Sequence, residues 1–342
     1  MSLLHSILPA PTTHLEQSRI LKLPILLLGI HDQCNCRCVM CDIWKRKTGL
    51  AFHASDLDRH RESIRTLGVK QVVLTGGEPL MNRELDAICR FFRELGVRIT
   101  LLTTGRLLFQ RAQTVATCID DVIISIDGPA DIHDRIRRVP GIFASIQKGV
   151  TAVRDYRPEL SISCRTTVQK LNHASLRSTV DAAKSLRLNS ISFLPADITS
   201  GAFNRHGGWT EDRQDEVALT HEELRTLEDE IESLITEYQE DIRTGFIVEN
   251  SEKLRRVADR FREYLYRLPP KAPRCNAPWV SAVVDVDGSV RPCFFHPVIS
   301  NVKHLTLLEA VNSETALSFR STLDVANNST CQRCVCSLNY RQ

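Results

Sequence analysis

Apolar residues run through the first two-thirds of the chain in two alternating textures. Short runs rich in Val, Ile, Leu and Thr fall at 24–30 (PILLLGI), 70–75, 97–102 (VRITLL), 121–126 (DVIISI), 160–168 (LSISCRTTV) and 189–194 (NSISFL). Runs of this length, bounded by polar or turn residues, predict strands. Between them, at 54–67, 82–95, 107–117, 141–155 and 172–187, apolar residues recur every three or four positions, as with Leu85, Ile88, Cys89, Phe92 and Leu95. That period predicts helices with one buried face. Strict alternation of strand and helix implies parallel strands covered by helices. A parallel sheet that curls into a barrel forms its site at the carboxyl ends of its strands.

After residue 200 the pattern changes. The stretch 200–209 (SGAFNRHGGW) is glycine-rich and suits a loop over the barrel mouth. Thr220 with Glu223 three residues on forms a capping box, opening a helix whose apolar face is Leu224, Leu227, Ile231, Leu234, Ile235 and Tyr238. Its acidic run, 228–232, reads as solvated, and so do Arg255, Arg256, Arg260 and Arg262 of a second helix at 251–267. The expected organisation is a lead-in at 1–21, broken by Pro9 and Pro11, a barrel core at 22–200, a loop and helical connection at 201–270, and a small C-terminal domain at 271–342.

With 342 residues, a formal charge of +3 and 25% charged residues, the chain can bury a large core and shows no bulk attraction to a polyelectrolyte. No nucleic-acid partner is expected. No apolar run is long enough for a bilayer and no export signal opens the chain, so the expectation is a cytoplasmic protein without a membrane partner.

The chemistry begins where the first strand stops. In 34–41 (CNCRCVMC), Cys34, Cys38 and Cys41 stand at the spacing Cys-x3-Cys-x2-Cys. Thiolates are the soft ligands of iron–sulfur clusters, and three of them on a short loop would leave one iron of a four-iron cluster open. A zinc knuckle completed by Cys36 or a distant cysteine is the rival reading, and a disulfide framework fits the tight clustering less well. Gly76-Gly77-Glu78-Pro79 follows the second strand, Thr103-Thr104-Gly105 the third, Ser125 and Asp127 close the fourth, Arg165 and Thr167 lie late in the fifth, and Asp197 follows the sixth.

A second constellation lies near the C-terminus, Cys275-x17-Cys293 and then Cys331-x2-Cys334. The first pair flanks an alternating strand, an Asp287-Gly288 turn and another strand, so a hairpin brings the two thiols near its outer ends. Four thiolates close a metal site, either an electron-transfer cluster or structural zinc. Cys89, Cys118 and Cys164 sit on apolar periodic faces and read as core, and His31 reads as a structural histidine.

Three cysteines after one strand and GGEP after the next resemble the radical S-adenosylmethionine (SAM) superfamily. The resemblance implies a partial (β/α)6 TIM-like barrel, an α/β fold, in which Cys34, Cys38 and Cys41 hold a [4Fe–4S] cluster. Gly76, Gly77, Glu78 and Pro79 would cradle the methionyl amine of SAM, Ser125 and Asp127 its ribose side, and Arg137 its carboxylate. Met40 stands where the family often has an aromatic residue. The C-terminal set, with Gly288 and the ending GSVRPC, resembles the SPASM or shorter twitch auxiliary-cluster domain. Only Cys336 follows the last pair, where the full SPASM pattern has more cysteines, so a single auxiliary [4Fe–4S] cluster is implied.

The function implied is a radical SAM oxidoreductase. An external flavodoxin- or ferredoxin-type reductant, with Lys45, Arg46 and Lys47 as a docking run, would lead to cleavage of SAM and to a 5′-deoxyadenosyl radical. That radical abstracts hydrogen from a small-molecule, sugar- or cyclitol-like substrate lined by residues such as Arg165, Asp197, His206 and Trp209. The alternatives are a peptide-modifying maturase and a non-catalytic iron–sulfur electron carrier or sensor.

Overall fold

In the computed structural model, which describes residues 18–341, the first predicted strand occupies Ile25–His31 (β1), where Leu26, Leu28 and Ile30 are all buried. The same alternation builds β2 (Gln71–Gly76), β3 (Arg98–Thr103), β4 (Asp121–Ser125), β5 (Ser161–Val168) and β6 (Ile191–Pro195). On each, every second residue joins the core: Val72 and Leu74, Ile99 and Leu101, Val122 and Ile124, Ile162 and Cys164, Ile191 and Phe193. The intervening residues of β5 are Ser161, Ser163, Arg165 and Thr167, half-buried or exposed. A strand with one apolar and one polar edge can pack helices on one side and line a site on the other.

All neighbouring pairs from β1 to β6 are parallel and lie in sequence order, the arrangement of a partial (β/α)6 barrel. The covering helices are α1 (Arg61–Thr66), preceded by a 3-10 segment Ala54–His60, α2 (Leu85–Glu94), α3 (Ala112–Cys118), α4 (Ala130–Arg137), α5 (Ile142–Tyr156) and α6 (Leu176–Ser185). Helix α4 is absent from the sequence expectation. Its large apolar positions are only Ile132 and Ile136, too few for a periodic signal, yet it carries Arg137, described below.

Beyond the barrel come α7 (Glu211–Asp215), α8 (His221–Glu237), α9 (Gln239–Thr244) and α10 (Ser251–Leu265). The Thr220–Glu223 capping box forms as expected. The acidic run is more than a solvated face. Glu230 is buried against Arg177 at 2.9 Å, Glu228 and Glu232 pair with Arg262 and Arg255, and Arg260 is itself buried. Charges from two helices that read as independent in sequence neutralise each other in space.

The C-terminal hairpin, β7 (Ser281–Val284) and β8 (Ser289–Arg291), continues the barrel sheet. Strand β7 lies parallel to β1, with Ile25 opposite Ser281 and Leu28 opposite Val284. A short β9 (Ser300–Asn301) follows β8 antiparallel, giving the order β6-β5-β4-β3-β2-β1-β7-β8-β9 among the described residues. The expected lead-in at 1–21 lies almost wholly outside the described residues. Of its end, Ile20 is buried and exchanges hydrogen bonds with Asn312 at 2.7 and 3.0 Å.

Candidate active site

The cysteine loop leaves β1 and is held from several sides through its backbone. Its Arg37 and Val39 amides donate to the carbonyls of Arg137 and Ile136 at the end of α4. Gly77 and Glu78 amides donate to His31 and Gln33, at 2.7 and 2.9 Å. Three arginines cap its other carbonyls: Arg106 donates to Asn35 and Arg205 to Met40, both at 2.6 Å, and Arg213 donates to Val39. An irregular loop cannot satisfy its own carbonyls, so the surrounding strand ends supply the donors.

The glycines of GGEP answer to this contact. A Cβ on Gly76 would lie 2.3 Å from the His31 carbonyl oxygen, and one on Gly77 would lie 2.1 Å from that of Gln33. The close approach that excludes a side chain is to the cysteine loop's own backbone. Glu78 is fully buried. Its carboxylate accepts from Leu80 N (3.1 Å), Thr103 Oγ1 (2.7 Å), Thr104 N (2.8 Å) and Thr104 Oγ1 (2.6 Å), tying the end of β2 to the end of β3. Burial pushes its carboxyl up and those four donors oppose it.

Behind the loop, Arg137 and Asp127 form a buried pair at 2.6 Å, and an Arg137 amino group donates to Cys38 Sγ at 3.4 Å. Asp127 also accepts the Thr167 amide at 3.1 Å. The Cys38 thiol is held down, to about 6, chiefly by a hydrogen bond from the Cys36 thiol and, against burial, by the Arg137 charge. Cys36, off the ligand spacing, is fully buried and donates toward both Cys34 and Cys38, which drives its own pKa upward. Burial first, and then the charges of Cys38 and Cys34, push the Cys41 thiol up to about 12.

These residues fit a multi-iron cluster. With Cys41 pushed up by burial and by the charges of Cys38 and Cys34, the three thiols cannot all deprotonate without cationic charge among them. Asn35 Nδ2 and Arg137 Nε, beside them, are buried with no hydrogen-bond partner among the described residues.

A clamp on the far side of the loop was not legible in the sequence. Arg205, buried, donates to the Asp197 carbonyl (2.6 Å) and carboxylate (3.0 Å) as well as to Met40, and its guanidinium stacks 3.7 Å over the Trp209 ring. Trp209 Nε1 donates to Asp42 Oδ2 at 2.7 Å, and Asn204 donates to the Asp42 carbonyl. The stretch expected to roof the barrel is thus fastened to the cysteine loop. Asp197 and Trp209 work in this clamp, His206 is exposed, and Arg165 lies on the polar edge of β5, 3.2 Å from Ser192 Oγ and opposite Ser125 in register. His31 is taken up by Gln33, whose amide donates to its Nδ1 at 3.1 Å. Of the basic run, Lys45 pairs with Asp42 and Arg46 with Asp285.

Cys275, Cys293, Cys331 and Cys334 line one small cavity together with Phe295 and His296. Burial pushes Cys293 and Cys331 up to about 11, and neighbouring thiols of the set add to it. The four therefore also call for a cationic centre. A separate cleft of about 880 Å³ lies beyond the end of β6. Asp197 and Ile198, after β6, form one wall; Tyr264 and Arg267 of the α10 end form another; Arg333 and Val335, flanking Cys334, form a third.

Comparison with known proteins agrees with this geometry. Residues 29–183 match the radical SAM superfamily, and residues 275–335 match SPASM, described as an iron–sulfur cluster-binding domain. The chain is 30% identical over 158 residues to an AdoMet-dependent heme synthase of Methanosarcina barkeri, covering 45% of each protein. It is 28% identical over 185 residues to a probable GTP 3′,8-cyclase of Pyrobaculum aerophilum, covering 51% of this chain and 59% of that one. These matches span about half the length of the curated relatives. The fold is similar to that of Streptococcus suis SuiB bound to its precursor peptide SuiA, with a TM-score of 0.66 over 99% of this chain and 80% of that one at 15% identity.

Proposed function

This chain carries a radical SAM domain at 29–183 followed by a SPASM-type domain at 275–335, and on that premise we propose that it oxidises a polar substrate held between two [4Fe–4S] clusters. Cys34, Cys38 and Cys41 hold the first cluster and Cys275, Cys293, Cys331 and Cys334 the second. Bound there, the first supplies the electron that cleaves SAM to a hydrogen-abstracting 5′-deoxyadenosyl radical, and the second accepts the substrate's second electron.

The protein's own part is placement and charge. Arg137 stabilises the Cys38 thiolate while Asp127 compensates its buried charge. The GGEP backbone, fixed by Glu78, would hold the SAM amine, with Ser125 on the ribose side. The arginine caps on the cysteine loop keep it rigid. We assign an external flavodoxin- or ferredoxin-type donor and the reducing cytoplasm to the same reading; all twelve cysteines are free thiols and no described helix is long and apolar enough to cross a membrane.

The cleft is the observation that carries the proposal. Its wall residue Asp197 is tied through Arg205 to the Met40 carbonyl of the first cysteine loop, and its wall residues Arg333 and Val335 flank Cys334 of the second set. Its polar lining, with Glu211, Asp215, Arg267 and Arg333, suits a small polar molecule of the sugar or cyclitol class. Its volume also favours a second reading, a peptide segment, because a single sugar would leave much of it filled by water.

Anaerobically reconstituted protein given SAM and dithionite should release 5′-deoxyadenosine. Iron should fall from about eight to about four per chain when Cys34, Cys38 and Cys41 are all changed to Ala. Fully loaded protein that leaves SAM intact would rule the reading out. Mass-spectrometric screening of sugars and cyclitols against short peptides for loss of two hydrogens separates the substrate classes.

A further inference from the structure

His296 sits three residues after Cys293 and is buried at 4% exposure, its ring edge-on to Phe319 with centroids 4.8 Å apart. Its Nε2 lies 3.3 Å from Cys331 Sγ. The main-chain amides of Phe295 and His296 donate to Cys293 Sγ. One residue thus reaches two of the four thiols, through its ring and through its backbone. The spacing of cysteines gives no hint of it, and nothing in the reaction outlined above uses it.

A cysteine that ligates iron is a thiolate with no proton to give, so a contact with an imidazole nitrogen at this distance requires the proton on Nε2. Hydrogen bonds to cluster sulfurs withdraw charge and favour the reduced, more negative state. We infer that His296 is a positioning residue of the C-terminal site, whose Nε2–H donates to the Cys331 thiolate and raises the reduction potential of the cluster held there. This rests on the two-cluster reading. The ring is wedged against Phe319, so the donor is fixed in place rather than free to turn to water.

The test uses full-length protein carrying Cys34, Cys38 and Cys41 changed to Ala, reconstituted anaerobically so that iron reports the C-terminal site alone, and follows the midpoint potential by EPR-monitored redox titration. His296→Phe keeps the contact with Phe319 and removes the donor; His296→Gln restores an N–H. The expected result is unchanged iron in both, a lower potential in His296→Phe and a return toward the parent value in His296→Gln. An unmoved potential in His296→Phe overturns the inference, as does loss of iron from both variants, which would make His296 a ligand or a purely structural residue. A parent that holds no iron overturns the two-cluster reading and this inference together, whereas failure of SAM cleavage with the titration as expected overturns only the former's catalytic half.

Discussion

The Arg137 guanidinium lies between two anionic groups, 2.6 Å from the Asp127 carboxylate and 3.4 Å from the Cys38 sulfur. All three are buried. Burial disfavours the arginine's charge, yet Asp127 and the neighbouring thiols hold its pKa above the usual value. The first thiol set is thus built on an internal ion pair, with the carboxylate as counter-charge on the side away from the cysteines.

Asp127→Asn should therefore cost about 3–5 kcal/mol of stability, since it leaves a buried guanidinium without its partner. Denaturant unfolding measures it. Asp127→Asn combined with Arg137→Met should cost less than the sum of the two single changes, the sign of a direct coupling. A loss under about 1 kcal/mol for Asp127→Asn would show that the pair is not what supports the loop.

Gly77→Ala should empty the first site. A Cβ 2.1 Å from the Gln33 carbonyl oxygen pushes the cysteine loop off the end of β2, so iron should drop from about eight to about four per chain while the C-terminal iron stays. Gly96 provides the control. It has a left-handed φ of +69° but nothing within 4 Å of a Cβ, so Gly96→Ala should lose only about 1 kcal/mol and no iron.

Trp209→Phe keeps an aromatic surface for Arg205 but removes the 2.7 Å hydrogen bond to Asp42. It should cost about 1.5–3 kcal/mol, the range for hydrogen bonds to charged groups. Arg205→Ala should cost more, because the Met40 carbonyl loses its donor and the Asp197 carboxylate, left with Ser200 alone, loses its cationic partner. Paired unfolding curves decide it; equal losses would mean that all the Arg205 contacts together are worth no more than the single Trp209–Asp42 hydrogen bond.

Stability should fall as pH is lowered from about 7 to 5. The His133 ring is fully buried, accepts the Asp127 amide on Nδ1 at 3.1 Å, and has Asp127 Oδ2 at 4.0 Å. Burial, and then the charge of Arg137, hold its pKa well below the ordinary value. The unfolded chain takes up a proton near pH 6.5 that the folded chain refuses, so this stability is complete above that pH and is lost below it, by at most about 1.4 kcal/mol per pH unit. His60, also buried and lowered by burial, acts in the same direction. In His133→Leu the unfolding midpoint should be lower at pH 7 and change less with pH. An unaltered slope would remove His133 from this account.

Much of the architecture is written locally. The strands β1 through β6 follow from short apolar runs, with period-two burial in β2, β4 and β5, as where Val72 and Leu74 lie between half-buried neighbours, and the ends of the strands locate the polar groups. The two thiol sets are legible for a related reason: the short spacings of Cys34, Cys38 and Cys41, and of Cys331 and Cys334, are local properties of the chain, as is the hairpin between Cys275 and Cys293. Helix α4 was not legible, because its stability comes from packing around His133, Ile136 and Arg137 rather than from an apolar stripe of its own.

What only tertiary structure decided is which charges and carbonyls meet. Arg205 and Met40 are 165 residues apart, and Arg46 and Asp285 are 239 apart. Nothing in the neighbourhood of either residue encodes such a contact; it arises when the 200–209 stretch and the C-terminal hairpin are brought against the strand ends. The sequence by itself determined a curled parallel sheet and two groups of thiols. The fold then joined the hairpin to β1 and turned solitary arginines into caps for an otherwise unsatisfied loop, because buried carbonyls and charges must find partners wherever the chain happens to place them.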